Sequence, residues 1–184
     1  MARKDFGVKP AVYPHPVFII GTYDEKGNPD LMNAAWGGVH DSDELFLCLS
    51  AGHKTVKNFQ KTGAFTVSMG EAGCVKACDY VGMVSGNNVP DKVEKAGFTT
   101  TPSEKVNAPI INELAVCVEC TVKSYDPSTG SLVGKIVNVS VDERVIRDGA
   151  VDVDVLRPIT FDSFNNTYRV LGEVVGKAFH DGKE

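Results

Sequence analysis

PVFIIGTY, residues 16–23, decides the fold together with the turn DEKGNP (24–29) and the run DLMNAAWGGV (30–39) that follow it. The first segment is apolar and rich in β-branched side chains, which is typical of a buried strand. Glycine, asparagine and proline in the second segment are typical of a turn. The pattern predicts a β-hairpin near the start of the chain.

Strand and helix signals continue outward from this hairpin. Residues 44–50, ELFLCLS, predict a third strand. Val56 and Phe59 then fall at helical spacing before Gly63, which predicts a short helix that ends at this glycine. Residues 64–69, AFTVSM, return to a strand pattern. We therefore predict strand, hairpin, strand, helix and strand in that order.

The rest of the chain also consists of short elements. Two short helices are predicted at residues 73–83 and 90–96, the second with Pro90 at its first position. Two long strands within residues 115–141 are separated by the turn cluster DPSTG and predict a second hairpin. Scattered glycine and proline favour a mainly β fold, and a length of 184 residues favours one domain over residues 1–184.

Charge and hydropathy narrow the class of partner. The net charge is -5, and lysine and arginine are dispersed without a basic block, which argues against nucleic acid as a partner. No apolar run approaches the length of a membrane span, which argues against a membrane. The first residues carry charge but no apolar stretch of signal-peptide length follows them. We therefore expect a cytoplasmic protein.

The cysteines are the first candidates for redox or metal chemistry. Five are present, an odd number, and without an export signal they are expected to be reduced thiols. Cys117 and Cys120 have the C-x-x-C spacing, but they lie on a predicted strand, where residues three apart face opposite sides. Cys74 and Cys78 share a predicted helix face without a further ligand nearby. A redox pair or a metal site at Cys117 and Cys120 is the less favoured alternative, and no metal ligands are assigned.

The segment SAGHKT, residues 50–55, lies between a predicted strand and a predicted helix. The first turn of a helix offers unpaired N–H groups and partial positive charge, so it can receive a phosphate. Lys54 would add a point charge and Thr55 a hydroxyl, with Ser50 and His53 beside them. The alternative is that a Ser or Thr here only caps the helix.

The segment NAAWGG, residues 33–38, is a second candidate. Small residues in a strand allow a planar ligand to approach the backbone, and Asn33 would add a side-chain contact. The alternative is a strand packed closely against another, with Trp36 as a core or interface aromatic.

Further motifs complete an ordered series: PV at 16–17, GN at 27–28, Asn58 and Phe59, DYVG at 79–82, VSG at 84–86, Lys92, APII at 108–111, and EC at 119–120. Together with residues 33–36 and 53–55, the series resembles the flavin-reductase-like family, and especially its flavoredoxin branch. The resemblance runs from about residue 12 to about residue 178.

The resemblance implies a six-stranded antiparallel split barrel of Greek-key type with short flanking helices. It also implies a homodimer that binds FMN near the subunit interface. The flavin ring would lie along Asn33, Ala34, Ala35 and Trp36, and the ribityl phosphate near Ser50, Lys54 and Thr55, with His53 beside it. Residues that would complete or cap the pocket are Ser85, Gly86 and Lys92. No catalytic acid or base is assigned.

The resemblance favours an oxidoreductase that takes electrons from NADH or NADPH onto FMN and passes them to a flavin, an iron complex or a protein. The G-x-G-x-x-G fingerprint is missing, which decides little, because the nicotinamide would stack directly on the flavin. One alternative is a non-enzymatic FMN carrier that exchanges electrons with partner proteins. Another is a split-barrel dimer that has lost flavin, but Asn33, Lys54 and Thr55 at the matching positions argue against it.

Overall fold

Short strands dominate the computed structural model, which describes residues 1–183. The strands are β1 His15–Pro16, β2 Phe18–Tyr23, β3 Pro29–Ala34, β4 Gly37–Asp41, β5 Glu44–Cys48, β6 Ala64–Met69, β7 Thr100–Pro102, β8 Pro109–Ile111, β9 Val116–Asp126, β10 Ser131–Val141, β11 Ile146–Arg147, β12 Ala150–Val151, β13 Ile159–Asp162 and β14 Thr167–Val170. The α-helices are α1 Lys54–Thr62, α2 Val75–Met83, α3 Lys92–Ala96 and α4 Val153–Leu156. Single 3-10 turns lie at Ala72–Cys74 and Glu143–Val145.

The largest sheet within residues 1–183 has seven strands in the order β3-β2-β6-β9-β10-β5-β4, and its neighbours are antiparallel. Its two edge strands, β3 and β4, are consecutive in the chain and are separated only by Ala35 and Trp36. They are two parts of one bent strand that reaches both edges, so the sheet curls into a barrel. With β3 and β4 counted as one strand, the barrel has six strands. The predicted mainly β, antiparallel fold is confirmed.

Local sequence explains the two predicted hairpins, both of which form. In the first, the Asp24 carboxylate accepts hydrogen bonds from the backbone N–H groups of Lys26 and Asn28, each at 2.9 Å. In the second, Asp126 accepts from the backbone N–H and the hydroxyl of Ser128 at 2.8 and 2.7 Å. In each turn a single carboxylate satisfies backbone donors that the strands leave free.

Helix α1 closes one end of the barrel. Val56 and Phe59 are fully buried, and the Phe59 ring meets the edge of Tyr125 on β9 with centroids 5.3 Å apart. Gly63 ends the helix with φ 72°, a left-handed conformation that favours glycine, and its N–H donates to the Phe59 carbonyl at 2.8 Å. The predicted helix and its stop are confirmed.

Two apolar layers are built on alternate residues of the same strands. Ile20 on β2 points into the barrel, where it joins a cluster that includes Phe65 and Leu132. Its neighbour Ile19 belongs to an outer cluster that also contains Val81 on α2. Helices α2 and α3 therefore cover the outer face of the β2–β3 edge, which places the ends of both helices beside the strand break.

Two predicted boundaries are wrong. The run predicted as one strand from Asp30 to Val39 is interrupted at Ala35 and Trp36, because the chain leaves β2 there to pair with β5. The helix predicted to start at Pro90 starts at Lys92, whose N–H donates to the carbonyl of Val89 at 3.3 Å. Pro90 lies in the preceding turn. Within residues 1–183, no helix has the length and apolar character needed to cross a membrane.

Candidate functional site

A cavity of about 360 Å³ opens where β3 gives way to β4. It collects segments from the strand break, the start of α1 and the loop after α2. All the residues predicted from the sequence to bind the cofactor line it: Asn33, Ala34, Ala35, Trp36, Ser50, His53, Lys54, Thr55, Ser85, Gly86 and Lys92. The fold therefore brings together at one place residues that the sequence distributes over four separate segments.

The strand break forms one end of the cavity, which we call the strand end. The side chain of Asn33 is held here, because its amide N–H donates to the carbonyl of Cys78 on α2 at 3.1 Å. Helix α2 comes this close because Gly82 has no side chain; a Cβ there would lie 2.8 Å from the Cβ of Asn33. Trp36 is 56% exposed, so the interpretation of this residue as a core aromatic is wrong for the single chain.

The start of α1 forms the other end, which we call the helix end. His53 occupies the N-cap position, and within the described structure no side chain caps the helix. The alternative that Ser or Thr serves here as a cap is therefore not what the structure shows. The first turn keeps N–H groups and positive dipole charge for an anion. Lys54 is partly exposed beside them, with its ammonium 3.6 Å from the Asp24 carboxylate.

A buried polar cluster lies directly behind the helix end. The Thr55 hydroxyl donates to Asp30 Oδ2 at 2.5 Å, and the Lys92 ammonium lies 3.2 Å from Asp30 Oδ1. Lys92 also donates to the carbonyls of Val81 and Val84 at 3.4 and 3.1 Å, and only 2% of the residue is exposed. Thr55 and Lys92 thus line the cavity while their polar atoms are already bonded inside the protein.

The same cluster fixes the loop that follows α2. A Cβ on Gly86 would overlap the Asp30 carboxylate, so only glycine lets the backbone pass this close. Strand β3, helix α1, helix α3 and the loop at Gly86 therefore meet at one carboxylate. This arrangement holds the cavity walls together.

Asp30 is a residue that the sequence analysis missed, as are Cys48 and Met83 in the cavity wall. A charged residue among apolar neighbours in a predicted strand could have indicated Asp30. Its partner could not have been identified, because Lys92 is distant in sequence. Cys48 and Met83 carry no such signal.

The cysteines pack as the strand interpretation predicts. Cys120 belongs to the barrel cluster, while Cys117 is buried outside it. Burial raises the pKa of the Cys117 thiol to about 11 and the pKa of the Cys78 and Cys120 thiols to about 12, so all three are protonated at neutral pH. All five cysteines are free in the described structure. No cluster of His, Cys, Asp or Glu suited to a metal ion occurs among residues 1–183.

Comparisons with known proteins cover most of the chain. A family model described as a flavin reductase like domain matches residues 11–156. An uncharacterized protein of Halalkalibacterium halodurans is 28% identical over 168 residues, which are 82% of this chain and 78% of that protein.

Two solved structures are similar over the full length. The flavoredoxin of Desulfovibrio vulgaris (Miyazaki F) is 34% identical, with a TM-score of 0.94 over 99% of this chain and 100% of that chain. A flavoredoxin from Methanosarcina acetivorans is 26% identical, with a TM-score of 0.85 over 100% of this chain and 97% of that chain. The split-barrel fold predicted from the sequence is confirmed by both.

We expect Lys92→Met to destabilise the protein strongly, because it leaves the Asp30 carboxylate buried without its cation. Removing one partner of a buried ion pair costs about 3–5 kcal/mol. The free energy of unfolding, measured by urea denaturation and circular dichroism, tests this. Lys95→Met on the same helix is the control and should change little, because its pair with Asp91 is at the surface. Equal stability of the two variants would contradict the role given to the cluster.

We expect iodoacetamide to modify Cys48 in the folded protein well before Cys117 or Cys120. Only the thiolate reacts, and burial keeps the two strand thiols protonated, whereas Cys48 lies half-buried in the cavity wall. Peptide mass spectrometry after timed alkylation measures the order. Replacing Cys117 and Cys120 with Ser should lower stability without affecting electron transfer to a bound flavin. Rapid alkylation of the pair would instead indicate a reactive C-x-x-C site.

Proposed function

The chain belongs to the flavin reductase-like family, as its motifs predicted, and on this premise we propose that it is an FMN-binding oxidoreductase. It would take electrons from NADH or NADPH and pass them through FMN to a flavin, an iron complex or a protein acceptor. The observation that carries the proposal is the single cavity in which the strand break, the uncapped start of α1 and the loop at Gly86 meet.

The residues present fit FMN at both ends of the cavity. At the strand end, the small side chains of Ala34 and Ala35 and the exposed indole of Trp36 suit a planar ring. At the helix end, the free N–H groups of α1 and the Lys54 ammonium suit a phosphate. The volume of about 360 Å³ lies within the range of roughly 300–1,000 Å³ common for small-molecule sites.

The protein's part in the chemistry is to bind and to orient. FMN, when bound, supplies hydride and single-electron transfer. Lys54 would balance the phosphate charge, and its surface contact with Asp24 at 3.6 Å is weak enough to exchange for it. Asn33 is fixed by Cys78, so its amide oxygen is held ready to accept a hydrogen bond from the polar edge of the ring. Trp36 would shield one side of the ring from water.

The likeness to two flavoredoxins favours a second candidate function, a non-enzymatic FMN carrier that exchanges electrons with partner proteins. The two candidates share the cavity and the cofactor. They differ in whether a nicotinamide nucleotide reduces the flavin. The free thiols agree with a reducing compartment, and we propose the cytoplasm as the location.

We further propose a homodimer as the functional unit. Several large apolar side chains are exposed on the single chain: Val39 on β4, Val137 and Val139 on β10, and Phe6, Val174, Val175 and Phe179 in the terminal segments. We propose that a second subunit covers the apolar side chains on β4 and β10. Trp36 at the cavity rim is also exposed, which supports a site completed across the subunit interface.

We expect the purified protein to be yellow and to be bleached by NADH or NADPH in an anaerobic titration. Bleaching by dithionite alone would support the carrier instead.

Lys54→Ala should raise the Kd for FMN by about tenfold or more, because a lost hydrogen bond to a charged group costs roughly 1.5–3 kcal/mol. Lys61→Ala, in the last turn of the same helix, is the control and should leave the Kd unchanged. An unchanged Kd for Lys54→Ala would remove the phosphate assignment.

We expect FMN release and dimer dissociation to occur over the same concentration range. A ligand that binds only the dimer is linked to assembly by mass action. Sedimentation velocity, recorded at a protein and at a flavin wavelength, measures both together. A stable monomer that carries stoichiometric FMN would refute the shared site.

A further inference from the structure

A second, smaller cavity of about 190 Å³ adjoins the strand end. It shares Asn33, Ala35, Gly82 and Met83 with the main cavity. The residues that it adds are Asp79, Phe161 and Tyr168, none of which has a part in holding FMN as proposed above. We call it the side cavity.

The wall of the side cavity carries a bonded polar pair. The Tyr168 hydroxyl donates to Asp79 Oδ1 at 2.7 Å. Burial, followed by the adjacent Asp79 carboxylate, holds the pKa of Tyr168 well above its usual value, so the phenol stays protonated. An ionised carboxylate has about four lone-pair positions. Asp79 therefore keeps acceptor capacity after it has bound Tyr168.

The remaining wall is aromatic. The rings of Phe161 and Tyr168 lie 6.0 Å apart at an angle of 53°, because these residues are directly opposed in the β13–β14 ladder. The Asp162 carboxylate fixes the turn between the two strands by accepting from the N–H groups of Phe164 and Asn165 at 3.0 and 3.2 Å. A flat ring entering the side cavity would meet two aromatic side chains and one carboxylate.

The position of the carboxylate is set by α2. Asp79, Gly82 and Met83 are spaced three and four residues apart, so they share one face of this helix. The close approach of Gly82 to Asn33 brings that face against the strand end. The Asn33 amide, which uses one N–H on the Cys78 carbonyl, lies close to the Tyr168 hydroxyl and is a donor in the same cavity. The side cavity thus presents an acceptor and a donor close together.

Resting on the proposed function, we propose that the side cavity binds the carboxamide-bearing ring of a dihydronicotinamide. Asp79 would accept from the carboxamide N–H, Asn33 would donate to its carbonyl oxygen, and Tyr168 would act as a positioning residue for Asp79. A primary carboxamide matches this set because it carries a donor and an acceptor together. A dry cavity of roughly 150 Å³ admits benzene, so about 190 Å³ is enough for one substituted ring.

The charge of Asp79 suits the reaction as well as the ligand. Oxidation of the donor would break its C4–H bond, and the hydrogen would leave as hydride, with its two electrons, for the oxidised flavin when FMN is bound. The dihydropyridine ring is left as a pyridinium cation. A carboxylate beside the ring stabilises the positive charge that develops as the hydride departs. Asp79 would therefore favour transfer of hydride toward the flavin.

Anaerobic stopped-flow reduction of the FMN-loaded protein tests the proposal with two probes. One is 1-benzyl-1,4-dihydronicotinamide, and the other is its N,N-dimethylcarboxamide analogue, which has no N–H to donate. We expect the wild type to be reduced about tenfold faster by the first, the effect of one hydrogen bond to a charged group. Asp79→Ala should abolish this preference and Tyr168→Phe should diminish it. Asp91→Ala, at an exposed acidic residue that begins α3, should keep it.

Dithionite reduction and the Kd for FMN separate this role from a structural one, and both should be unchanged in the Asp79 and Tyr168 variants. A wild type that does not distinguish the two probes overturns the carboxamide site alone. Equal losses with dithionite and with dihydronicotinamide also overturn it, because the pair would then serve only the fold. A wild type that binds FMN but is reduced by neither probe nor by NADH overturns the proposed donor and this site together.

Discussion

Residues 29–41 pair with two strands that are distant from each other in the sheet order, β3 with β2 and β4 with β5. On β3, Leu31 belongs to the outer cluster and Met32 to the barrel cluster, so a slip of one residue in its ladder would exchange the two faces. The strand must therefore satisfy two registers at once. It does so by leaving Ala35 and Trp36 outside both ladders of the described sheet. The cavity opens at this interruption, so the site is a direct result of how the barrel closes.

The same strand also organises the walls of the cavity. Asp30 near its start receives Thr55 from α1 and Lys92 from α3, and Asn33 near its end receives the α2 carbonyl of Cys78. All three contacts are made within the protein itself. A site held in this way before its ligand arrives loses little conformational entropy on binding. The buried ion pair thus supports the geometry of the site more than it contributes a contact to a ligand.

Much of this architecture could be predicted from the sequence, because the interactions that fix it are local. Asp24, Asp126 and Gly63 act on backbone groups within a few residues, and the cofactor-binding residues belong to short runs that match a known family. The interruption at Ala35 and Trp36 could not be predicted, because it depends on pairing with β2 and β5, which lie near opposite edges of the sheet. The Asp30–Lys92 pair and the Asp79–Tyr168 pair join residues far apart in the chain, and neither partner indicates the other. Sequence therefore located the cavity, whereas its supporting contacts required the fold.

Trp36 is the single tryptophan of the chain, and it lies on the cavity rim with 56% of its surface exposed. The barrel core consequently contains no indole. Ultraviolet emission from this protein would report the rim, and since that emission overlaps the absorption of flavins, a bound yellow cofactor nearby would quench it by energy transfer. Intrinsic tryptophan fluorescence would then measure occupancy of the cavity. It would respond little to changes in the packing of the core.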